Sequence, residues 1–261
     1  MLTAGVDLAA EPKGTALAVI DWSAPRAVVT ELHLGVADPL VVETARRVDK
    51  LGIDCALGWP DEFVRFVSQH SRLGDEATGG AADGGVVDGG VVDGGMDWRR
   101  TLAYRETDRE VRRVTGRWPL SVSTDRLGLT ALRCAGLLGR LEAAGLPVDR
   151  AGMGLVAEVY PGASLRLWGF DTTGYRVDPT KRRTLLDALL EVAPWLDLGA
   201  FDDLMVTSCD AFDAVIAALS ARACALELTT APPTAAGQRA RREGWVHLPT
   251  TPLTALAPTA V

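Results

Sequence analysis

The sequence predicts an α/β domain built on a mixed central sheet: three antiparallel strands followed by parallel ones, flanked by helices and carrying a helical insertion. Three observations predict it. Three β-rich runs lie close together at 3–9, 15–22 and 26–34, and connections this short force an antiparallel meander. A helical stretch at 38–51 then leads into another strand at 53–57, which implies a crossover and parallel pairing. Near the other end, 208–226 reads as a long helix that is strongly apolar along one face.

Taken in order, TAGVDLA at 3–9 is the first strand, and Pro12 and Gly14 punctuate the turn after it. TALAVIDW and RAVVTELHL follow as strands two and three. The helix at 38–51 has Asp38 as its expected N-cap, Pro39 at its first helical position and Gly52 as its stop. Residues 74–97 contain the repeated unit DGGVV; glycine at this density is costly to order and offers little to pack, which predicts a flexible loop. Residues 99–150 form a helical insertion: a basic segment at 99–118, helical in part, then a helix at 127–145 ending at Gly145. A fifth strand at 152–160 closes at Pro161, and helices follow at 162–168, 180–193 and 199–203. The 208–226 helix starts on a Ser N-cap, GWVHLP at 244–249 is a final strand, and 250–261 is expected to fray.

At 261 residues the chain suits one domain spanning 1–261, and 48% hydrophobic residues are ample for a core. Every apolar run is broken before membrane-spanning length, and MLTAGVDLAA lacks the basic and apolar regions of a signal peptide. The four cysteines, 55, 134, 209 and 224, have no CxxC spacing and read as reduced thiols, so a cytoplasmic protein without a membrane partner is expected, as monomer or homodimer. A net charge of −7 argues against non-specific coating of duplex nucleic acid but leaves room for a local basic groove.

Four acidic motifs spread over the chain point to one site: GVDLA at Asp7, GIDCALGWP at Asp54, AEVYP at Glu158, and DAFDA at Asp210 and Asp213. The first three set a carboxylate in or beside an apolar run, where its desolvation costs several kcal/mol unless it is paired or holds a metal. Clustered carboxylates suit hard divalent cations. Each acid also has a plain structural role: Asp7 bonding backbone N–H groups, Asp54 forming a turn, Asp210 capping a helix, Glu158 pairing with an arginine. Asp210 and Asp213, three apart, share one helical face. In YRETDREVR, Arg105, Asp108 and Arg112 fall on one face, either clamping a phosphate or forming a solvated salt-bridged helix. Lys181, Arg182 and Arg183 open a helix where positive charge opposes the dipole, a hint of an anionic partner. His33, His70 and His247 share no metal spacing, and no GxGxxG or Walker pattern occurs.

The element order resembles the ribonuclease H-like fold. GVDLA, IDCALGWP, YRETDREVR, AEVYP, KRRTLL, DAFDAVIAALSA and EGWVHLP, in that order, are similar to one uncharacterised-domain family within it, number 429, of predicted nucleases. They cover nearly the whole chain outside 74–97. Nucleases of this fold take their acids from the first strand, the fourth-strand region and the C-terminal helix. The resemblance thus implies Asp7, Asp54, Glu158 and Asp213 as catalytic residues, Glu158 of the family's AEVYP motif replacing or supplementing a ligand. Asp7, Asp54, Asp210 and Asp213 are the implied ligands of Mg²⁺ or Mn²⁺, the last two in a pattern similar to the helix pair of Holliday-junction resolvases. Arg105, Asp108, Arg112, Lys181 and Arg182 are the candidate substrate-binding residues. The expected activity is metal-dependent hydrolysis of DNA or RNA. The alternatives are a non-catalytic nucleic-acid or protein binding module, and an ATP-dependent phosphotransferase of the actin-like class, which normally repeats the core twice.

Overall fold

The computed structural model of the chain describes residues 1–23, 25–72 and 94–258. Its centre is a six-stranded sheet in the order β5-β4-β1-β2-β3-β6. β1 (Leu2–Asp7), β2 (Ala16–Asp21) and β3 (Ala27–Leu34) form the antiparallel meander; β4 (Lys50–Asp54) runs parallel to β1, and β5 (Val156–Glu158) parallel to β4. A two-residue β6 (Leu196–Asp197) pairs parallel with β3 at the far edge. β1 and β2 are almost wholly buried, as central strands covered on both faces must be.

Side-chain alternation sorts the core into two layers. Ala4, Val6, Leu17, Val19, Leu51 and Ile53 face α1 (Asp38–Ala45) and α5 (Gly128–Ala143). Ala16, Ala18 and Ile20 face the opposite way, toward α6 (Pro161–Leu167), α7 (Pro179–Val192) and α9 (Cys209–Ala225). α9 is buried without interruption from Ala211 to Cys224. The expectation of one apolar face thus understates it: this is a core helix, buried on every side and largely apolar.

α9 lies unusually close to the sheet. Gly5 of β1 and Gly52 of β4 are register partners. A Cβ on Gly5 would come within 2.2 Å of the Ala214 carbonyl oxygen and the Ala218 nitrogen, and one on Gly52 within 2.7 Å of the Ala217 carbonyl oxygen. Two adjacent missing side chains therefore form the seat for the helix backbone. The Thr3 hydroxyl completes it, donating to the Ala218 carbonyl at 3.1 Å.

Several sequence expectations are corrected. The helix expected at 38–51 stops at Ala45, its N-cap is Ala37 rather than Asp38, and β4 begins at Lys50 rather than 53, because Lys50 is already in register with Thr3. The strand expected at 152–160 is three residues long; Lys50 Nζ holds the preceding loop by the Gly152 and Gly154 carbonyls, at 2.6 Å each. GWVHLP makes only isolated bridges, Val246 alongside Glu158 and Pro249 opposite Thr229. α2 (Asp61–His70) and α10 (Gly237–Glu243) were not anticipated. The basic segment is two helices, α3 (Gly95–Ala103) and α4 (Glu106–Thr115). The loop expected at 74–97 lies, up to residue 93, outside the described residues; from Gly95 the chain is helical. The tail expected to fray instead makes a 3-10 turn at Leu253–Leu256 whose two leucines are buried in the α9-side core.

Candidate carboxylate site

Asp7 and Asp54 end neighbouring parallel strands and are partners in the same register as Gly5 and Gly52 two residues earlier. By strand alternation both carboxylates therefore lie on the α9 face of the sheet. α9 starts there. Its N-cap, Ser208, accepts a hydrogen bond from the Ala211 N–H at 3.2 Å, and Asp210 sits part-buried in the first turn. Asp213, one residue before the stretch seated on Gly5, is buried. The Tyr175 hydroxyl donates to its Oδ1 at 2.9 Å, the Cys209 thiol lies 3.8 Å from its Oδ2, and Arg176 Nη2 lies 3.4 Å from the same oxygen. Tyr175 is itself fixed, its ring 5.6 Å from that of Phe212.

The acids act on one another. Burial pushes the Asp7 carboxyl well above the usual range, and Asp54, Asp213 and Asp210 push it further while Arg176 opposes them. Asp54 is pushed up to about 8, by burial first and then by Asp213, with Arg176 again opposing. Burial likewise raises Asp213 and Asp210, and it pushes the Cys209 thiol up to about 12, which favours its protonated form. Asp7, Asp54 and Asp213 have the Arg176 guanidinium as their shared counter-charge, which leaves this end of the sheet short of positive charge. Among the described residues no three His, Cys, Asp or Glu side chains are already drawn together around a metal position. The donor chemistry nonetheless fits a hard divalent cation: carboxylate oxygens, surplus negative charge and adjacent origins on two strands and a helix.

A family model described as "Protein of unknown function (DUF429)" matches residues 5–237. The chain belongs to this family. No curated protein and no solved structure matches it. The match spans all five acids of the DUF429 chain singled out above and ends before Trp245–Leu256.

The structure does not bring every expected residue to this site. Glu158 shares its side of the sheet with Val156, which packs with Ile53 on the α1/α5 face, so it lies across the sheet from Asp7 and Asp54. There it meets Arg105, whose five N–H donors are all engaged. Nε and Nη2 reach Asp108 at 3.2 and 2.9 Å, Nη1 and Nη2 reach Glu158 at 2.8 and 2.7 Å, and Nη1 reaches the Glu243 carbonyl at 2.9 Å. Arg105, Asp108 and Glu158 are all buried. Of the two roles open to Glu158, the structure supplies the ion pair. Arg112 is exposed on α4.

Arg182 is buried and turned inward: Nε donates to the Val206 carbonyl at 2.8 Å, Nη1 to Tyr175 at 2.6 Å and Nη2 to Thr207 at 3.2 Å. The expected anionic partner is not what it meets: its acceptors are neutral carbonyls at the end of α8 (Asp202–Thr207) and in the loop that carries Tyr175. Arg183 pairs with Asp202 at 2.7 Å, and Lys181 is exposed. Tyr175 and Arg176 were missed from sequence, since GYRVDP carries no recognisable signal. His247 is buried, accepting at Nδ1 from Thr229 at 2.9 Å and donating at Nε2 to Ala151 at 3.1 Å; burial lowers it to about 4, so it stays neutral. All four cysteines are free.

Proposed function

We propose that this DUF429 chain is a divalent-metal-dependent nuclease with a ribonuclease H-like core, hydrolysing DNA or RNA phosphodiester bonds at Asp7, Asp54 and Asp213. One observation carries the reading. Two carboxylates end adjacent parallel strands, and a third, on a core helix, is held over the same face, each raising the others' need for positive charge. The antiparallel meander followed by parallel strands on the β1 side supports the ribonuclease H-like part.

Asp7, Asp54 and Asp213 would hold Mg²⁺ or Mn²⁺, with Asp210 at the rim. Such a cation, when bound, supplies an acidified water and neutralises charge on the phosphate. The chain's own residues prepare for it. Tyr175 fixes the Asp213 carboxylate by its hydroxyl. Burial and Asp213 raise the Asp54 carboxyl, so a cation held there would compete with its proton and affinity would rise with pH. The glycine seat fixes how near α9 brings Asp213 to the strands.

The test is hydrolysis of labelled single-stranded, duplex and branched DNA and RNA in Mg²⁺ and in Mn²⁺, with Asp7→Asn alongside. Cation-dependent cleavage lost in the variant supports the reading. Silence on every substrate, together with no cation-linked rise in melting temperature, sinks it.

A further inference from the structure

Arg176 differs from the other arginines near the acids in what it leaves free. Arg105 spends every donor on Asp108, Glu158 and a backbone carbonyl, and Arg182 is buried among carbonyls. The Arg176 side chain is 53% exposed. Its Nε donates to the Tyr175 hydroxyl at 3.1 Å, its guanidinium carbon lies 5.7 Å from the Tyr175 ring centroid, and Nη2 stands 3.4 Å from Asp213. That last distance is long for a charge-assisted hydrogen bond. Among the described residues no hydrogen bond from Nη1 or Nη2 to an acceptor is present. The backbone beneath is firmly held, because Arg182 grips the Tyr175 carbonyl and the Val177 and Asp178 N–H groups both close onto Gly174. A rigid stem therefore carries a guanidinium to the mouth of the carboxylate cluster and leaves its fork unspent.

We infer that Arg176 is the substrate-binding arginine of this site, resting against Asp213 in the free protein and passing to a phosphodiester oxygen when nucleic acid and a divalent cation arrive. The inference rests on the nuclease reading. The exchange is balanced in charge: the cation takes over the neutralisation of Asp213 as the guanidinium takes up the phosphate. A planar fork suits two phosphate oxygens better than a lysine does. It also assigns Arg176 an opposing effect on the two ligands, since in the free protein it competes with the cation for Asp213.

Fluorescein-labelled oligothymidylate and oligouridylate would be titrated by anisotropy in Ca²⁺ against wild type, Arg176→Ala and Arg176→Lys, over a range of salt. Mn²⁺ binding to the same proteins, without oligonucleotide, would be followed by electron paramagnetic resonance. Loss of one charge-assisted contact predicts about tenfold or more weaker oligonucleotide binding for Arg176→Ala. It also predicts a log–log salt dependence shallower by about 0.7, a change that a purely structural role would not cause. Arg176→Lys keeps the salt slope but loses part of the affinity. Mn²⁺ binds Arg176→Ala more tightly than wild type. If wild type binds both ligands and Arg176→Ala matches it in affinity and slope, the Arg176 assignment alone fails. If wild type binds neither, the nuclease reading fails and the assignment with it. If Arg176→Ala does not fold, Arg176→Lys decides: an unchanged oligonucleotide affinity overturns the proposal, and a weakened one at constant slope supports it.

Discussion

Removing a carboxylate from the site should stabilise the cation-free protein, and Asp54→Asn is the sharpest case. The Asp54 carboxyl is pushed from an ordinary 3.8 up to about 8. An acid raised on folding costs nothing below its unfolded value; stability then falls as pH climbs from that value to the folded one, and is level above it. At pH 7 the interval from 3.8, at about 1.4 kcal/mol per pH unit, bounds the cost at about 4 kcal/mol. Asp54 is only part-buried by surface area, and water at the strand end screens the charge, which brings the expected cost to about 2 kcal/mol. Asparagine keeps the shape and cannot ionise. In chelator-treated protein, urea unfolding followed by tryptophan fluorescence should show Asp54→Asn more stable by about 2 kcal/mol at pH 8, and by about 1 kcal/mol or less at pH 5. Added Mn²⁺ should then favour wild type, since only the intact cluster gains full binding energy. A variant no more stable than wild type at pH 8, or an advantage that does not grow with pH, would refute the reasoning.

Two further predictions concern the scaffold. Gly5→Ala puts a methyl group where α9 backbone already stands; thermal unfolding should show a loss of about 1–3 kcal/mol or more, and Mn²⁺ affinity should fall because Asp213 is displaced with the helix. Arg105→Ala strands Glu158 and Asp108 as buried charges and should cost about 3–5 kcal/mol in urea. Its Mn²⁺ affinity, measured where the protein is folded, should be unchanged, because that triad lies across the sheet from Asp7 and Asp54.

The meander, the crossover and the long helix were legible because each depends on local pattern: β-rich runs with short turns, a helix between strands, a serine cap. So were Asp7, Asp54 and Asp213, charges placed where apolar runs end. What the sequence hid is set by distant partners. AEVYP shows an acid in a strand, but which face it takes depends on its register with Ile53, and that is settled only when β4 and β5 pair. Arg105 and Arg182 read as candidate substrate-binding cations because several of the groups that bury them, Glu158, Glu243, Val206 and Thr207, lie 20 or more residues away in the chain. Tyr175 and Arg176 sit in a loop without periodicity, and only the placement of α9 gives them a role. Leu253 and Leu256, among Thr, Ala and Pro, lack any helical or strand period, so their burial was not foreseen.

The bridge between Val246 and Glu158 has a consequence beyond packing. β5 is the last strand on its side of the sheet, and a bare terminal strand offers its backbone to any other chain that can pair with it. Here that rim is occupied from within: Val246 runs alongside, and the His247 N–H donates to the Glu158 carbonyl at 2.9 Å. The family match stops at 237, well before this guard. A protein trimmed to the matched region would keep every acid yet present an unprotected rim, and copies would be drawn to one another through it. The matched region holds the carboxylates, and the stretch beyond it covers the rim of the sheet.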